Sequence, residues 1–254
     1  VASCEIDHTV PAVAPSVMGS GYAAARARLE WFITHALADY AERRGEPGDP
    51  DGSSRLSPYL HFGQISAAEV LRAVKAAGGS ESFDNELVVW RELALNYCLW
   101  NPHFRSLKGM PDWVHRTMSA HVDDEREALY SLAELEQART HDPLWNAAQR
   151  ELVATGLMHN VMRMLWGKST LLWTRTYSEA FKHLVYLNNK YALDGRDPSS
   201  YAGIAWCFGR FDRAFFERPV WGQIRPMSLQ RAHAKYDTKS YLARWGDQAT
   251  IFGG

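Results

Sequence analysis

Glu86 and Trp90 lie four residues apart in a segment that reads as helix, so they share one face. A carboxylate beside an indole, on a stripe of Leu and Val, suits a pocket where a ring stacks on a flat ligand. The acid would hydrogen-bond that ligand's polar edge. A glutamate at the rim of a core would show the same spacing. A second cluster is Gly52-Ser53-Ser54-Arg55-Leu56-Ser57-Pro58. Three hydroxyls, an arginine and several backbone amides converge there just before a helix start. Such an end favours a phosphate, and an ordinary serine-capped turn is the alternative.

Trp166 and Trp173 are seven residues apart, about 10 Å along one helix axis. Trp145 sits on the preceding predicted helix, and Arg163 lies three residues before Trp166. Spacing of this kind is what core packing produces. Asn188, Asp194, Arg196 and Asp197 surround the turn Leu193-Asp-Gly-Arg-Asp-Pro. Asp and Asn readily make turns, and a functional role would need Arg163 to pair with an acid here. Gly19-Ser-Gly21-Tyr-Ala-Ala24 matches a dinucleotide fingerprint, but Pro11 and Pro15 stand where a buried strand would be required. It is expected to start the first helix instead. No HxxxH, HExxH or CxxC spacing occurs, so no metal site is expected.

The elements that must hold these residues are helical. Leu29, Phe32, Ile33, Ala36, Leu37 and Tyr40 form one face of a helix beginning near Ala23, broken by Gly45, Pro47, Gly48, Pro50 and Gly52. Ser57-Pro58 reads as an N-cap with proline at the first helical position. Ser66 with Glu69 reads as a capping box for a helix ending at Gly78-Gly79. Phe83 to Trp100 is expected as one helix, burying Leu87, Trp90 (or Val89), Ala94 and Tyr97. Ser131 with Glu134, Asp142-Pro143, Thr176 with Glu179 and Asp197-Pro198 mark further helix starts. Leu157 to Trp173 is another helical run. Alternating β-branched runs are absent, so the fold class is all-α with long irregular connections.

The chain has 254 residues, 46% of them hydrophobic, enough for a sizeable core. Ten tryptophans are heavy usage. The net charge of -1 excludes a globally basic binder, yet the charge is uneven. Residues 121–136 hold six acids and one arginine, whereas residues 203–245 hold eight Lys or Arg and three acids. A basic end with interleaved aromatics suits a polyanion, although a solvated face would look similar. No apolar run is long enough to cross a membrane. Three scattered cysteines suit a reducing setting, cytoplasmic or, in a eukaryote, nuclear.

From about Tyr40 to Trp245 the chain resembles the FAD-binding domain of the photolyase/cryptochrome superfamily. The resemblance rests on SSRLSPYLHFGQIS (53–66), ELVVWRELALNYCLWNP (86–102), THDPLWNAAQ (140–149), MHNVMRMLWGKSTLLW (158–173), YLNNKYALDGRDPSSYAGIAW (186–206) and ERPVWGQIRPM (217–227). The second, third and last look most like class II cyclobutane pyrimidine dimer photolyases. The resemblance implies a helical bundle holding FAD, with residues 1–20 as a linker or arm and residues 21–254 as the FAD- and DNA-binding catalytic domain. The family's N-terminal α/β antenna domain is absent from this chain, which starts at Val1 in what looks like an interdomain linker.

The resemblance also implies roles. Tyr40 and the loop Ser53, Ser54, Arg55, Leu56 and Ser57 would take the phosphate side of FAD. Arg163 and Asp194 would form a charge pair beside the flavin, with Gly195 and Arg196 near the ribityl and ring. Asn188 would face the flavin's reactive nitrogen, and Met164 would join the catalytic group. Trp166, Trp145 and Trp173 would carry electrons, from flavin outward in that order. Glu86, Trp90 and Trp206 would form the pocket for a dimer flipped out of duplex DNA. Excited, reduced flavin would donate one electron, the cyclobutane ring would split, and the electron would return. Arg91, Asn160, Arg213, Arg225 and Lys235 would contact DNA, and the protein would act as a monomer.

Three departures bear on the lesion. Asn160 looks more like the class I pattern, where class II usually has a small residue. Gly209-Arg-Phe-Asp212 replaces the usual Gly-x-His-Asp run and is one residue shorter in its spacing. Phe215 stands where the family often has Trp. The rival implied by the same resemblance is a cryptochrome-like blue-light sensor without repair activity; a flavin-bound relic is a third reading.

Overall fold

The computed structural model describes residues 9–246, and all structural statements refer to these. They form helices joined by loops, with no strand; an isolated antiparallel bridge joins Arg218 and Gly222. The helices are α1 (Gly21–His35), α2 (Tyr40–Arg43), α3 (Ser57–His61), α4 (Ala67–Ala76) and α5 (Glu81–Asp84). A π-helical turn over Asn85–Trp90 leads into α6 (Arg91–Trp100). After a 3-10 turn at Leu107–Gly109 come α7 (Asp112–Ala120), α8 (Leu132–Glu136), α9 (Pro143–Thr155) and α10 (Asn160–Leu172). Then follow α11 (Tyr177–Tyr191), α12 (Pro198–Cys207), α13 (Leu229–Lys235) and α14 (Thr238–Trp245). The all-α reading holds. Residues 9–20 carry no helix, and the earlier part of the expected arm lies outside the described residues.

Most helix starts obey the capping chemistry read from sequence. Ser131 and Glu134 make a reciprocal capping box. Asp142, Thr176 and Asp197 each accept a backbone N–H of the first turn. α9 ends on Gly156 at φ +69°, where an added Cβ would meet Leu193 Cγ at 2.5 Å. Gly167 has a similar constraint: an added Cβ would meet Cys207 Sγ at 2.6 Å, so glycine lets α10 and α12 pack closely.

Three expectations need correction. The first helix stops at His35, so Ala36, Leu37 and Tyr40 are buried beyond its end. Ser66 caps α4, but Glu69 accepts from Tyr22 and Arg26 of α1 instead of closing the box. Leu56, not Ser57, is the N-cap of α3, and no side chain caps it. The Ser57 hydroxyl is therefore left free for another partner.

Apolar side chains gather into two cores. The smaller includes Leu29, Phe32, Tyr40, Leu56, Phe83 and Leu87, from α1 to the π-turn. The larger is built mainly on α9 to α12 and includes Trp145, Trp166, Trp173, Leu184 and Ile204. The functional cavity lies where these two cores meet.

Candidate functional site

A cavity of about 560 Å³ opens at the seam between the cores. Tyr40, Leu56, Phe83 and Leu87 wall it from one side, and Met158, Trp166, Leu184 and Ile204 from the other. Its size suits an organic ligand or cofactor.

The Ser53–Ser57 loop forms one end. Arg28 of α1 donates to the carbonyls of Ser53 (3.0 Å) and Ser54 (2.8 Å) and so pins the loop. Arg55 adopts the left-handed region at φ +54°, which a non-glycine residue enters only at a cost of the order of 1 kcal/mol or more. Ser53, Ser54, Arg55, Leu56 and Ser57 all line the cavity, as do Arg44 and Arg244. Three guanidinium groups and three hydroxyls at one end suit an anion such as a phosphate.

His159 caps α10 at this end. Its Nδ1 accepts from the Val161 amide at 3.3 Å, so in the neutral ring Nε2 carries the proton. That Nε2 is buried, beside the Arg44 backbone. Burial pushes the ring's pKa down to about 4, so it is a neutral donor near pH 7. Behind it, Glu151 is raised by burial and accepts from Tyr241 Oη at 2.5 Å and from the His159 amide.

The middle of the cavity carries a charge pair. Arg163 Nη2 lies 3.1 Å from Asp194 Oδ1, and Ser200 Oγ donates to the Asp194 carbonyl at 2.9 Å. The pairing that the sequence could not show is thus present. Asn188, one turn after the cavity-lining Leu184, is 2% exposed and its Nδ2 has no partner. Asn188 does not itself line the wall. Met164, Asn160 and Arg91 do. Gly195 serves the tight turn after α11, where a Cβ would meet the Ala192 and Asn188 carbonyls, and Arg196 is exposed.

Glu86 reaches the cavity from the π-turn and forms an ion pair with Arg44. Burial raises the Glu86 carboxyl, while Arg44 opposes the rise. Trp90, on the same turn, and Trp206, on α12, are partly exposed, with ring centroids 4.7 Å apart at 47°. Trp206 Nε1 donates to Asp212 Oδ1 at 2.9 Å. An open tryptophan pair therefore stands beside the cavity.

Three further tryptophans make a buried file. Trp166 lines the cavity; Trp145 stacks on it at 6.2 Å and 17°, and Trp173 meets Trp145 edge-on at 6.0 Å. Trp166 donates to Gln149 Oε1, and Trp145 to the Trp166 carbonyl. Exposed His141 and half-buried Tyr130 pack on the outer side of Trp173.

No family model matches the chain. It is 43% identical over 230 residues to a deoxyribodipyrimidine photo-lyase of Methanothermobacter thermautotrophicus, covering 91% of this chain and 52% of that protein. The protein of the same name from Arabidopsis thaliana is 45% identical over 218 residues, with 84% and 44% covered. That from Potorous tridactylus is 38% identical over 246 residues, with 94% and 46% covered. The fold matches that of a bacterial class III photolyase from Agrobacterium tumefaciens, with a TM-score of 0.71, 24% identity, and 94% of this chain and 48% of that one covered. The chain belongs to the photolyase/cryptochrome family. It spans about half the length of the curated relatives it matches.

Of the expected residues, Tyr40, the Ser53–Ser57 loop, Arg163, Asp194, Met164, Trp166 and Glu86 line the cavity, whereas Asn188, Arg196, Trp90, Trp206, Trp145 and Trp173 do not. The expected DNA contacts do not all join it. Arg91 and Asn160 line the cavity, whereas Arg213, Arg225 and Lys235 are exposed on the C-terminal loops and α13. Sequence reasoning missed Arg44 and His159. Arg44 follows Tyr40 by one turn, and His159 precedes the α10 start, so both had a positional signal. Among the described residues, no helix is long and apolar enough to cross a membrane, and no three His, Cys, Asp or Glu side chains cluster to hold a metal ion.

Proposed function

We propose that this chain is the FAD-binding, light-driven repair half of a deoxyribodipyrimidine photolyase of class II type, acting on cyclobutane pyrimidine dimers in DNA. The observation that carries this reading is the meeting of three features at one cavity: an anion-binding end, a tryptophan file and an open tryptophan pair with an acid.

The residues fit FAD. A diphosphate would be met by Ser53, Ser54, Ser57 and Arg55, with the His159 ring lining the same cavity. Arg163, Asp194 and the unpaired Asn188 amide offer polar partners to a ring system. FAD held there would supply light-driven one-electron chemistry to a bound dimer. Trp90 and Trp206 offer flat faces on which flipped-out bases stack. Glu86, held by its ion pair with Arg44, can accept a hydrogen bond from a base N–H. Trp166 stacks on Trp145, which meets Trp173 edge-on, so a hole could pass outward from the cavity. Arg213, Arg225 and Lys235 would take phosphates, and Arg91 and Asn160 would approach the lesion.

The rival is a sensor of the cryptochrome kind. The retained Glu86–Trp90–Trp206 set favours repair. The test is to load the chain with FAD, reduce it chemically, add an oligonucleotide carrying a thymine dimer, and illuminate with blue light. Dimers should disappear in light and persist in darkness. Persistence in both would leave the sensor reading.

A further inference from the structure

Lys168, on α10 two residues beyond Trp166, is 1% exposed, and its Nζ has no hydrogen-bond partner. A buried, unpaired ammonium is costly, and such charges persist when an opposite charge compensates them. The groups facing it can be named. From α12 comes the buried Cys207 thiol; from the following loop come the Asp212 carboxylate and, further on, the Arg225 guanidinium. The Trp221 ring lies 6.0 Å from Nζ. Of these, Asp212 is the anion that offsets the ammonium, and Arg225 works against it.

Asp212 is divided between two tasks. Its Oδ1 accepts from Trp206 Nε1 at 2.9 Å, while its Oδ2 is buried with no partner, like Nζ of Lys168. Two opposite charges thus act on each other through space without a direct bond. The Trp206 indole in turn leans on Trp90 at 4.7 Å and on Phe211 at 5.7 Å. Asp212 sits on an exposed-to-half-buried loop, residues 210–219, with no helix to fix it.

We propose that Lys168 is a positioning residue for the tryptophan pair: its ammonium draws the Asp212 carboxylate inward, and Asp212 then fixes the tilt of Trp206 against Trp90. Lys168 touches neither substrate nor cofactor. It acts through Asp212. The consequence for substrate rests on the lesion-pocket reading above; the coupling of Lys168 through Asp212 to Trp206 does not.

The test uses the full chain loaded with oxidised FAD. In the first arm the indole N–H resonance of Trp206 is followed by 15N NMR, assigned by its loss in W206F. Lys168→Met should move this resonance. The double variant K168M/D212N should return it towards the wild-type position, because asparagine keeps the acceptor oxygen and removes the stranded charge. A resonance unmoved in K168M overturns the proposal. So does a double variant displaced further than the single one, since mere loss of packing would add. The second arm measures preference for a dimer-containing over an undamaged duplex. K168M should lower that preference roughly tenfold, the size expected when a buried bond to a charged group is misplaced, and K168M/D212N should recover most of it. A moved resonance with unchanged preference overturns the positioning role for substrate. If the wild type shows no preference for the dimer, the lesion-pocket reading fails, and the NMR arm alone decides the coupling.

Discussion

The two ring nitrogens of His159 do different jobs, and pH separates them. Nδ1 caps α10 and must stay unprotonated; Nε2 is buried beside the Arg44 backbone. The unfolded chain takes up a proton near 6.5, whereas the folded ring resists it until about 4. The folded state therefore binds fewer protons within this window, and its stability falls as pH drops from about 6.5 to 4. The ring contributes up to about 3 kcal/mol to that loss. In urea titrations from pH 7 to 4.5, His159→Asn should show a shallower acid decline than the wild type, because Asn can cap without titrating. Equal declines would show that the ring is not the titrating group. Glu151, whose carboxyl is raised, works in the opposite direction, so only the difference between the two proteins is diagnostic.

At the element scale the π-turn is the feature that sequence periodicity could not show. An ordinary helix from Phe83 to Trp100 gives Glu86 and Trp90 one face, and that much was legible from their spacing. The extra residue per turn over Asn85–Trp90 rotates the frame between Leu87, which is buried, and Val89, which is 47% exposed. Such turns recur at functional sites because they re-aim side chains without ending the helix. Deleting Val89 should restore α-geometry and swing Trp90 by about 100° relative to Glu86. Helix content by circular dichroism should persist while preference for dimer-containing DNA is lost. A retained preference would show that Trp90's placement is not what matters.

Caps were legible because they are local: Ser131, Asp142 and Thr176 each bond within three residues. The Arg44–Glu86 pair and the Arg28 clamp on the Ser53–Ser54 loop were not, because they join segments 42 and about 25 residues apart. The tryptophan file was legible as spacing on α10, but its stacking order needed α9. For this file, Trp166→Phe should slow flavin photoreduction at least tenfold and leave repair unchanged when the flavin is reduced chemically. Transient absorption measures the first, and dimer loss the second. An unslowed photoreduction would remove Trp166 from the path.

For the molecule as a whole, the seam between two cores explains how a near-neutral chain can build a charged cavity. Each core supplies one apolar wall, and the polar groups are left at the join. The uneven charge seen in sequence also finds its place. The acidic stretch 121–136 is partly internally spent: Glu136 pairs with Lys190 at 2.8 Å, and Asp124 with His121 at 2.7 Å. Arg213, Arg225 and Lys235 stay exposed at the basic end. If they grip phosphates, replacing each by Gln should reduce the slope of log affinity against log salt by about one for duplex DNA. Unchanged slopes would place the DNA on another face.

The most direct measurement is the rate of dimer splitting under blue light, in FAD-loaded, chemically reduced protein, for the wild type beside Trp90→Ala. Dimers should be lost only in light, and at least tenfold more slowly in the variant, as expected when a base-stacking aromatic is removed. Splitting that ignores light, or a Trp90→Ala rate equal to the wild type, would contradict a lesion pocket built on this tryptophan pair.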